Sequence, residues 1–464
     1  MNDKITKADI EFLSNELADF QQLFYPHFKR REQYERADNY LAGLIQPLPN
    51  KAIETMQLHM QDDDPKEIRA MQHFISEGAW DDLAVLQEAW KVVDEEIGDV
   101  NGVLIVDGSD FPKQGKHSAG VKRQYCGQLG KTANCQAGVF LGYTSDKGYT
   151  LLDHRLYLPQ EWLTDNDYAH KRQKCRIPEA TVFQTKPQLA AEMILAQARA
   201  GKVRYRWLTC DEAFGCSTVF LDKIAPIVTY FAEVPQDTHI WLERPQMSIP
   251  AYSGKGRKPI HKKIVEGEPH SQMVSSVLET LNADQWQRLL VKEGTKQTIM
   301  ADFACLRVVN RRKTHPQDDV WLVIRRDIES NNYHFYLSNA PIETKPKEFA
   351  KLSGQRWPIE TCFEEGKQEL GMGDYQVRTW TGWHHHMTLV ILAHIFLMRV
   401  QRRLEDKTPQ ITLPQAILLL KATLPQPDYS VERTIDIVNY YQVRHEQARK
   451  SHRKRKASNS EVSL

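Results

Sequence analysis

The amino-acid sequence predicts a mixed α/β fold, in which a mixed sheet carries helices on its faces. Two continuous apolar stretches, residues 103–107 (VLIVD) and 206–211 (RWLTCD), each predict a buried strand that ends in an aspartate. Between them, two strand-like segments flank residues 145–148 (SDKG), which is a hairpin signature. A helix is predicted over residues 186–200, closed by Gly201. Strand, hairpin, helix and strand in this order describe a mixed sheet.

The elements that follow extend this pattern and then interrupt it. Residues 216–224 predict a helix and residues 227–234 a further strand. Three later segments, 308–312, 320–325 and 332–337, also predict strands. We therefore expect a β-rich insertion between the second aspartate and the acidic helix described below.

The whole chain divides into five predicted regions. These are a helical N-terminal domain (1–100), the first part of the mixed-sheet core (101–240), a β-rich insertion (241–340), the second part of the core (341–400), and C-terminal helices with a basic tail (401–464). The N-terminal helices are compatible with DNA binding through a helix-turn-helix, or with a packing or dimerisation bundle. The sequence leaves both open.

Charge is distributed unevenly along the chain. The net charge is +1, but residues 1–100 contain 10 Lys and Arg against 21 Asp and Glu. The basic surface therefore lies mostly after residue 100, a split that is found in nucleic-acid-binding proteins.

Cysteine usage and the first residues indicate the compartment. Seven cysteines are scattered and form no CxxC pair, which argues against a zinc site and for a reducing, cytoplasmic environment. The polar N-terminus is not a signal peptide, and no apolar run is long enough to span a bilayer, so we expect no membrane association.

The most informative stretch runs from Gly354 to Arg378. It predicts a helix from Pro358 that ends at the glycines of the segment LGMG. Glu360 and Lys367 lie within roughly 20° of each other around this helix, since seven residues at about 100° nearly complete two turns. A carboxylate and an ammonium on one face, just after Arg356, suit a metal ion beside a phosphate. The alternative is a salt-bridge stripe on a solvated helix.

The two strand-end aspartates are the other candidates. Asp107 and Asp211 end apolar strands, where sheets of this kind place their chemistry. A single aspartate there is often only a turn or cap residue, but two of them with an acidic helix make a stronger case. Asp110 is the substitute if Asp107 proves dispensable.

These motifs resemble those of DDE transposases from bacterial insertion sequences. Asp107 lies in VDGSDFPKQG, Asp211 in TCDEAFG and Glu360 in RWPIETCFEEGKQELG. One large group of these enzymes carries the motif Tyr-x2-Arg-x3-Glu-x6-Lys, and Arg356, Glu360 and Lys367 match it, with Ser353 at the tyrosine position. The resemblance spans about residues 20–390 and implies an RNase H-like catalytic core with a β-rich insertion.

The resemblance also implies the chemistry. Asp107, Asp211 and Glu360 would be the catalytic residues and would hold two Mg²⁺ ions, for which Mn²⁺ can substitute. Two such ions serve both ends of an in-line displacement at phosphorus. Arg356 and Lys367 would hold DNA phosphates. Further DNA contacts are expected from the basic loop predicted after the first aspartate and from the basic segment after the second, namely Lys113, Lys116, Lys122, Arg123, Lys255, Arg257 and Lys258.

The function implied is that of a transposase in the bacterial cytoplasm or nucleoid. It would bind the terminal inverted repeats of an insertion sequence in double-stranded DNA, cleave phosphodiester bonds and join the 3′-hydroxyl ends to target DNA. A homodimer is expected, because two ends must be paired. The alternatives are a related nuclease or domesticated transposase that cuts without joining strands, and a catalytically silent DNA-binding protein.

Overall fold

The protein divides into two compact units, as seen in a computed structural model that describes residues 4–60, 65–252, 254, 256–294, 298–409, 411–424 and 430–461. One unit comprises Met1–Asp82 and Glu365–Leu464, and the other comprises Leu83–Glu364. The first is built from helices, and the second contains the large sheet. None of the helices in the described ranges is long and apolar enough to cross a membrane.

The helices include those predicted over residues 186–200, within residues 216–224 and from about Pro358, together with others. They are α1 (Lys7–Gln22), α2 (Arg31–Ile45), α3 (Ile53–Met60), α4 (Pro65–Glu77), α5 (Asp82–Ile97), α6 (Gln160–Thr164), α7 (Ala169–Lys174), α8 (Lys186–Ala200), α9 (Glu212–Gly215), α10 (Thr218–Ile224), α11 (Pro346–Ser353), α12 (Trp357–Glu369), α13 (Trp380–Leu404), α14 (Leu413–Leu420) and α15 (Val431–Glu461). Helix α8 has the predicted bounds, and Gly201 closes it in the left-handed conformation with φ 57°.

The strands form one large sheet and a small separate ribbon. They are β1 (Val103–Pro112), β2 (Lys122–Cys126), β3 (Lys131–Ser145), β4 (Gly148–Tyr157), β5 (Trp207–Cys210), β6 (Thr229–Val234), β7 (His239–Trp241), β8 (Met247–Ser248), β9 (Lys263–Ile264), β10 (Gln272–Met273), β11 (Gln287–Glu293), β12 (Thr298–Arg312), β13 (His315–Asp327) and β14 (Tyr333–Ser338). Within the described part of the chain, strands β8 and β9 pair only with each other.

The centre of the large sheet has the predicted mixed arrangement. Its central strands lie in the order β4-β3-β1-β5-β6. Strand β3 is antiparallel to β1 and β4, whereas β5 is parallel to both β1 and β6. This order agrees with an RNase H-like core, and the predicted fold class is confirmed.

Two local predictions were wrong. Strand β1 does not end at Asp107 but continues to Pro112, because its antiparallel pairing with β3 extends to Pro112 opposite Cys135. Only its parallel pairing with β5 stops before Asp107. The basic segment that follows β1 is not entirely a loop either, since it contains β2, which pairs with the start of β3.

The strands of the region 241–340 extend the same sheet. Strand β14 pairs with β6 and continues through β13 and β12 to β7. Apolar side chains from this half of the sheet form a buried cluster that includes Val234, Ile324, Phe335 and Leu337. Because the pairing is continuous, strand β14 carries its side chains directly beside those of β6.

Helices α8 and α12 lie on opposite faces of the central strands. Ile359 of α12 reaches Gly142 of β3, where a Cβ added to the glycine would lie 3.2 Å from the isoleucine side chain. Phe363 packs edge-on against Phe140 with ring centroids 5.2 Å apart. Asp107 is directly opposite Phe140, so its side chain is on the α12 face. The adjacent Gly108 faces the other way, towards the start of α8.

The long helix α13 carries three adjacent histidines. It starts at Trp380, and His384, His385 and His386 are all buried. The His385 ring stacks on Trp80 at 3.7 Å, and its two nitrogens lie 2.9 and 3.2 Å from backbone oxygens. These contacts explain why polar side chains are tolerated in the core.

Candidate active site

Strand register places the two predicted aspartates side by side. The parallel ladder between β1 and β5 ends with Val106 opposite Cys210. The next residues in register are Asp107 and Asp211. Because in-register neighbours of a parallel pair point to the same side, both carboxylates lie on the α12 face of the sheet.

Each aspartate is also fixed by its own backbone. The Asp107 side chain accepts a hydrogen bond from the Gly108 amide at 2.6 Å. Asp211 is the N-cap of α9, and its side chain accepts a hydrogen bond from the Phe214 amide at 3.3 Å. The cap interpretation of a strand-end aspartate is therefore correct for Asp211, and it does not remove the residue from the site.

Helix α12 brings Glu360 and Arg356 to the same place. Arg356 immediately precedes the helix, and Glu360 lies in its first turn. Arg356 Nη1 lies 2.7 Å from Glu360 Oε1 and 3.7 Å from Asp107 Oδ2. The i,i+4 ion pair of the salt-bridge alternative is thus present, and Glu360 is 44% exposed, but Arg356 also faces a carboxylate of the sheet. The structure brings Asp107, Asp211, Glu360 and Arg356 together, and their catalytic roles stay a prediction.

The carboxylates of this site are only partly neutralised. Burial and the neighbouring Asp211 raise the pKa of Asp107 to about 7, against an ordinary value of 3.8. Burial also raises the pKa of Asp211. Two opposing effects act on Arg356. Burial lowers its pKa, whereas the neighbouring carboxylates, Glu360 first among them, raise it, and the pKa lies above its ordinary value. The cluster therefore has a deficit of positive charge.

A fourth carboxylate, Glu233, was missed by the sequence analysis. It lies on β6, and its Oε2 is 3.8 Å from Arg356 Nε. Its Oε1 lies 2.9 Å from Nδ1 of His334 on β14. The signal available in the sequence was the predicted strand 227–234, but only the register between β5 and β6 places Glu233 in the site.

The predicted DNA-binding residues are distributed over several elements. Lys116 and Arg123 are exposed, Lys113 is half-buried just after β1, and Lys122 forms an ion pair with Glu161. Arg257 and Lys258 are exposed between β8 and β9. Lys255 lies outside the described residues.

The remaining predicted residues have identifiable positions. Lys367 lies on α12 and is half-buried, in the part of the helix that belongs to the helical unit. Asp110 accepts a hydrogen bond from the Gly127 amide at 2.7 Å and so stabilises the turn after β2. Ser353 ends α11 and donates its hydroxyl to the Ala350 carbonyl at 2.7 Å.

Comparisons with known proteins indicate to which family the chain belongs. The chain resembles a piggyBac transposase in a synaptic complex with hairpin DNA, with 11% identity and a TM-score of 0.39 over 93% of this chain and 81% of the other. That likeness is too weak to carry an argument. No curated protein sequence matches significantly. The profile of the DDE superfamily endonucleases matches residues 23–298, which is 276 of 464 residues and includes Asp107 and Asp211 but not Glu360. The chain therefore belongs to the DDE superfamily endonuclease family.

Proposed function

We propose that this protein is a transposase that cuts and joins DNA at the ends of an insertion sequence. The observation that carries the proposal is the convergence of Asp107, Asp211 and Glu360 around Arg356, on one face of the sheet. Membership of an endonuclease family supports phosphodiester cleavage. The match of Arg356, Glu360 and Lys367 to the spacing of the transposase motif supports the joining reaction.

The donor set fits a pair of Mg²⁺ ions, with Mn²⁺ as a substitute. As the described side chains stand, no three of His, Cys, Asp and Glu are close enough to enclose one ion. However, the group that lies among the carboxylates is itself a cation, the guanidinium of Arg356. Carboxylate oxygens are the ligands that Mg²⁺ prefers, and the raised pKa of Asp107 marks a deficit of positive charge that metal binding would remove.

We assign the following roles. Asp107 and Asp211, from adjacent strands, and Glu360, from α12, would hold the metal. When bound, the metal pair would activate the attacking oxygen and stabilise the leaving oxygen. Arg356 would bind a DNA phosphate beside the carboxylates through its planar guanidinium. The strand and helix anchoring of all four side chains would keep them in place during the reaction.

The basic residues would supply DNA affinity outside the reacting centre. Lys116, Arg123, Arg257 and Lys258 are exposed and suited to phosphate contacts. Lys113 and Lys367 remain part of the proposal. Lys122 has the weakest case, because Glu161 already pairs with it. Two such chains would form a homodimer on double-stranded DNA, each holding one inverted repeat.

One assay separates the proposal from its alternatives. The purified protein is incubated with Mg²⁺ and a supercoiled plasmid that carries the candidate ends, together with a second target plasmid. Insertion into the target supports a transposase. Cleavage without joining would instead indicate a nuclease or a domesticated transposase. Binding without cleavage would indicate a silent DNA-binding protein and contradict the catalytic assignment.

A further inference from the structure

Glu233 belongs to the same row of carboxylates as the two predicted aspartates. The ladder between β5 and β6 ends with Cys210 opposite Ala232, so Asp211 and Glu233 are the next residues in register. Asp107, Asp211 and Glu233 therefore lie in one row across three parallel strands. The Glu233 side chain is 14% exposed, and the cost of burying its charge requires partners.

The first partner is His334. It lies on β14, where Tyr336 is directly opposite Glu233. Nδ1 of His334 is 2.9 Å from Glu233 Oε1, and Nε2 is 3.4 Å from Asp327 Oδ2. Asp327 is in turn paired with Arg325 at 2.7 Å. His334 is thus held between two carboxylates and fixes one oxygen of Glu233.

The second partner is Arg356, whose guanidinium faces different carboxylates with its two edges. Its Nε faces Glu233 at 3.8 Å, a distance at which the attraction is Coulombic without a hydrogen bond. Its Nη1 faces Asp107 and Glu360. A cation that arrives at Asp107 and Glu360 competes only with the Nη1 edge, and the Nε edge keeps its partner.

We propose that Glu233, held by His334, is a positioning residue for Arg356, which keeps the guanidinium beside the site when a divalent cation displaces it from Asp107 and Glu360. This inference rests on the proposed function. Without Glu233, the guanidinium keeps, among the described residues, only the proposed metal ligands Asp107 and Glu360 as ion-pair partners, so it competes more strongly with the metal. Two other roles of Glu233 can be distinguished by experiment. It could be a direct metal ligand, or its contact with His334 could serve only to join β6 to β14.

The test is a double-mutant cycle on Mn²⁺ affinity in the full-length protein without DNA. Glu233→Gln and Arg356→Met are made singly and together, and Mn²⁺ binding is followed by electron paramagnetic resonance of the free ion. Glu212→Gln is the matched control, because Glu212 is a nearby carboxylate that has no ion pair among the described residues. Circular dichroism checks folding.

We expect Arg356→Met alone to tighten Mn²⁺ binding. Glu233→Gln should weaken it by about 10-fold, within the range found for coupled neighbours. In the Arg356→Met background, the effect of Glu233→Gln should fall to that of Glu212→Gln. His334→Ala should reproduce the weakening and serves as the test if Glu233→Gln fails to fold. His334→Asn, which keeps a side-chain donor near Nδ1, should restore affinity.

The contradicting outcomes are distinct. An equal loss in both Arg356 backgrounds would make Glu233 a direct ligand and overturn the positioning role. No loss of Mn²⁺ affinity in either background would mean that Glu233 only joins two strands, and would overturn the positioning role. Failure of the unsubstituted protein to bind Mn²⁺ would instead count against the proposed function itself.

Discussion

Two aspartates of the same sheet, Asp302 and Asp107, have opposite environments. Asp302 on β12 has an arginine in register on each side, Arg288 on β11 and Arg326 on β13. The closest contacts are 2.9 and 2.8 Å, and the hydrogen bond from Arg288 leads the effects that lower the pKa of Asp302. Asp107 has Phe140 and Asp211 as its neighbours in register, and burial raises its pKa to about 7.

The difference separates a structural carboxylate from a candidate functional one. Asp302 has the hydrogen bonds and charges that a buried carboxylate needs within the protein. Asp107 has a like charge beside it and shares a single guanidinium with Glu233 and Glu360. A buried carboxylate that a well-packed sheet holds beside a like charge is a candidate for binding a cation. The following changes test that distinction.

The largest effect is expected on DNA cleavage. Asp107→Asn and Asp211→Asn should each lower the cleavage rate on the order of 10³-fold or more, because each removes an anionic metal ligand. DNA binding, measured by gel shift, should survive. Cleavage at the normal rate by either variant at ordinary Mg²⁺ concentrations would remove that residue from the site.

The three glutamates of α12 should differ strongly in how far their replacement lowers DNA cleavage. Glu360→Gln should abolish cleavage in both Mg²⁺ and Mn²⁺, because the ion pair with Arg356 holds Glu360 beside the carboxylates of the sheet. Glu364 lies one turn further along the helix, so Glu364→Gln should retain at least partial activity. Glu365→Gln should be mild, since glutamine can still accept from His394, 3.1 Å away.

The outcome that breaks this assignment is an active Glu360→Gln beside an inactive Glu364→Gln. In that case the metal-binding face of α12 would lie one turn further along the helix. The roles given to Arg356 and Lys367 would then be lost as well.

Stability of the metal-free protein should depend on pH through Asp107. Its pKa is about 7 in the fold and near its ordinary 3.8 in the unfolded chain, so the folded state binds the extra proton between these values and stability falls as pH rises. Asp107→Asn should therefore be more stable than the parent protein, by on the order of 1–4 kcal/mol at pH 8. Urea unfolding should show this gain growing between pH 5 and pH 7 and levelling off above. A gain independent of pH would contradict the assignment.

Asp302→Asn should show the reverse pattern with a smaller effect. It should destabilise the protein by about 1–2 kcal/mol at neutral pH, because two arginines lose their partner but are exposed enough to be rehydrated. The cleavage rate per folded molecule should stay unchanged. Urea unfolding and single-turnover cleavage measure the two quantities, and a catalytic defect in this variant would erase the distinction drawn above.

Much of the central sheet could be predicted because its strands are nearly continuous apolar runs. Residues 103–107 and 206–211 each end in an aspartate, and the strand order followed from the hairpin and helix between them. Helix α8 was predicted to the residue, with Gly201 as the local signal for its end, and the structure adds Thr185 as its N-cap. Strand β2 was missed because KRQYC carries charged and polar side chains, and only pairing with β3 makes it a strand.

The site itself was only partly predictable. The strand ends pointed to Asp107 and Asp211, and the motif spacing pointed to Arg356 and Glu360, but neither showed that Arg356 would lie among the carboxylates. For Glu233 the predicted strand 227–234 was the only local signal, and it is not specific, because a glutamate near the end of a strand is common on solvated surfaces. Its position depends on the register between β5 and β6, and its fixation by His334 depends on β14, a strand about 100 residues further along the chain. Contacts between distant segments of this kind are not written in any local pattern.

The most direct test of the central claim is equilibrium Mn²⁺ binding to the metal-free protein, compared between Asp107→Asn and Asp302→Asn. Both variants replace one largely buried aspartate of the same sheet by asparagine, so the comparison isolates the environment of the carboxylate that is removed. We predict that Asp107→Asn loses Mn²⁺ binding at the site, whereas Asp302→Asn binds as the parent protein does. Unchanged binding by Asp107→Asn, or an equal loss in both variants, would contradict the account.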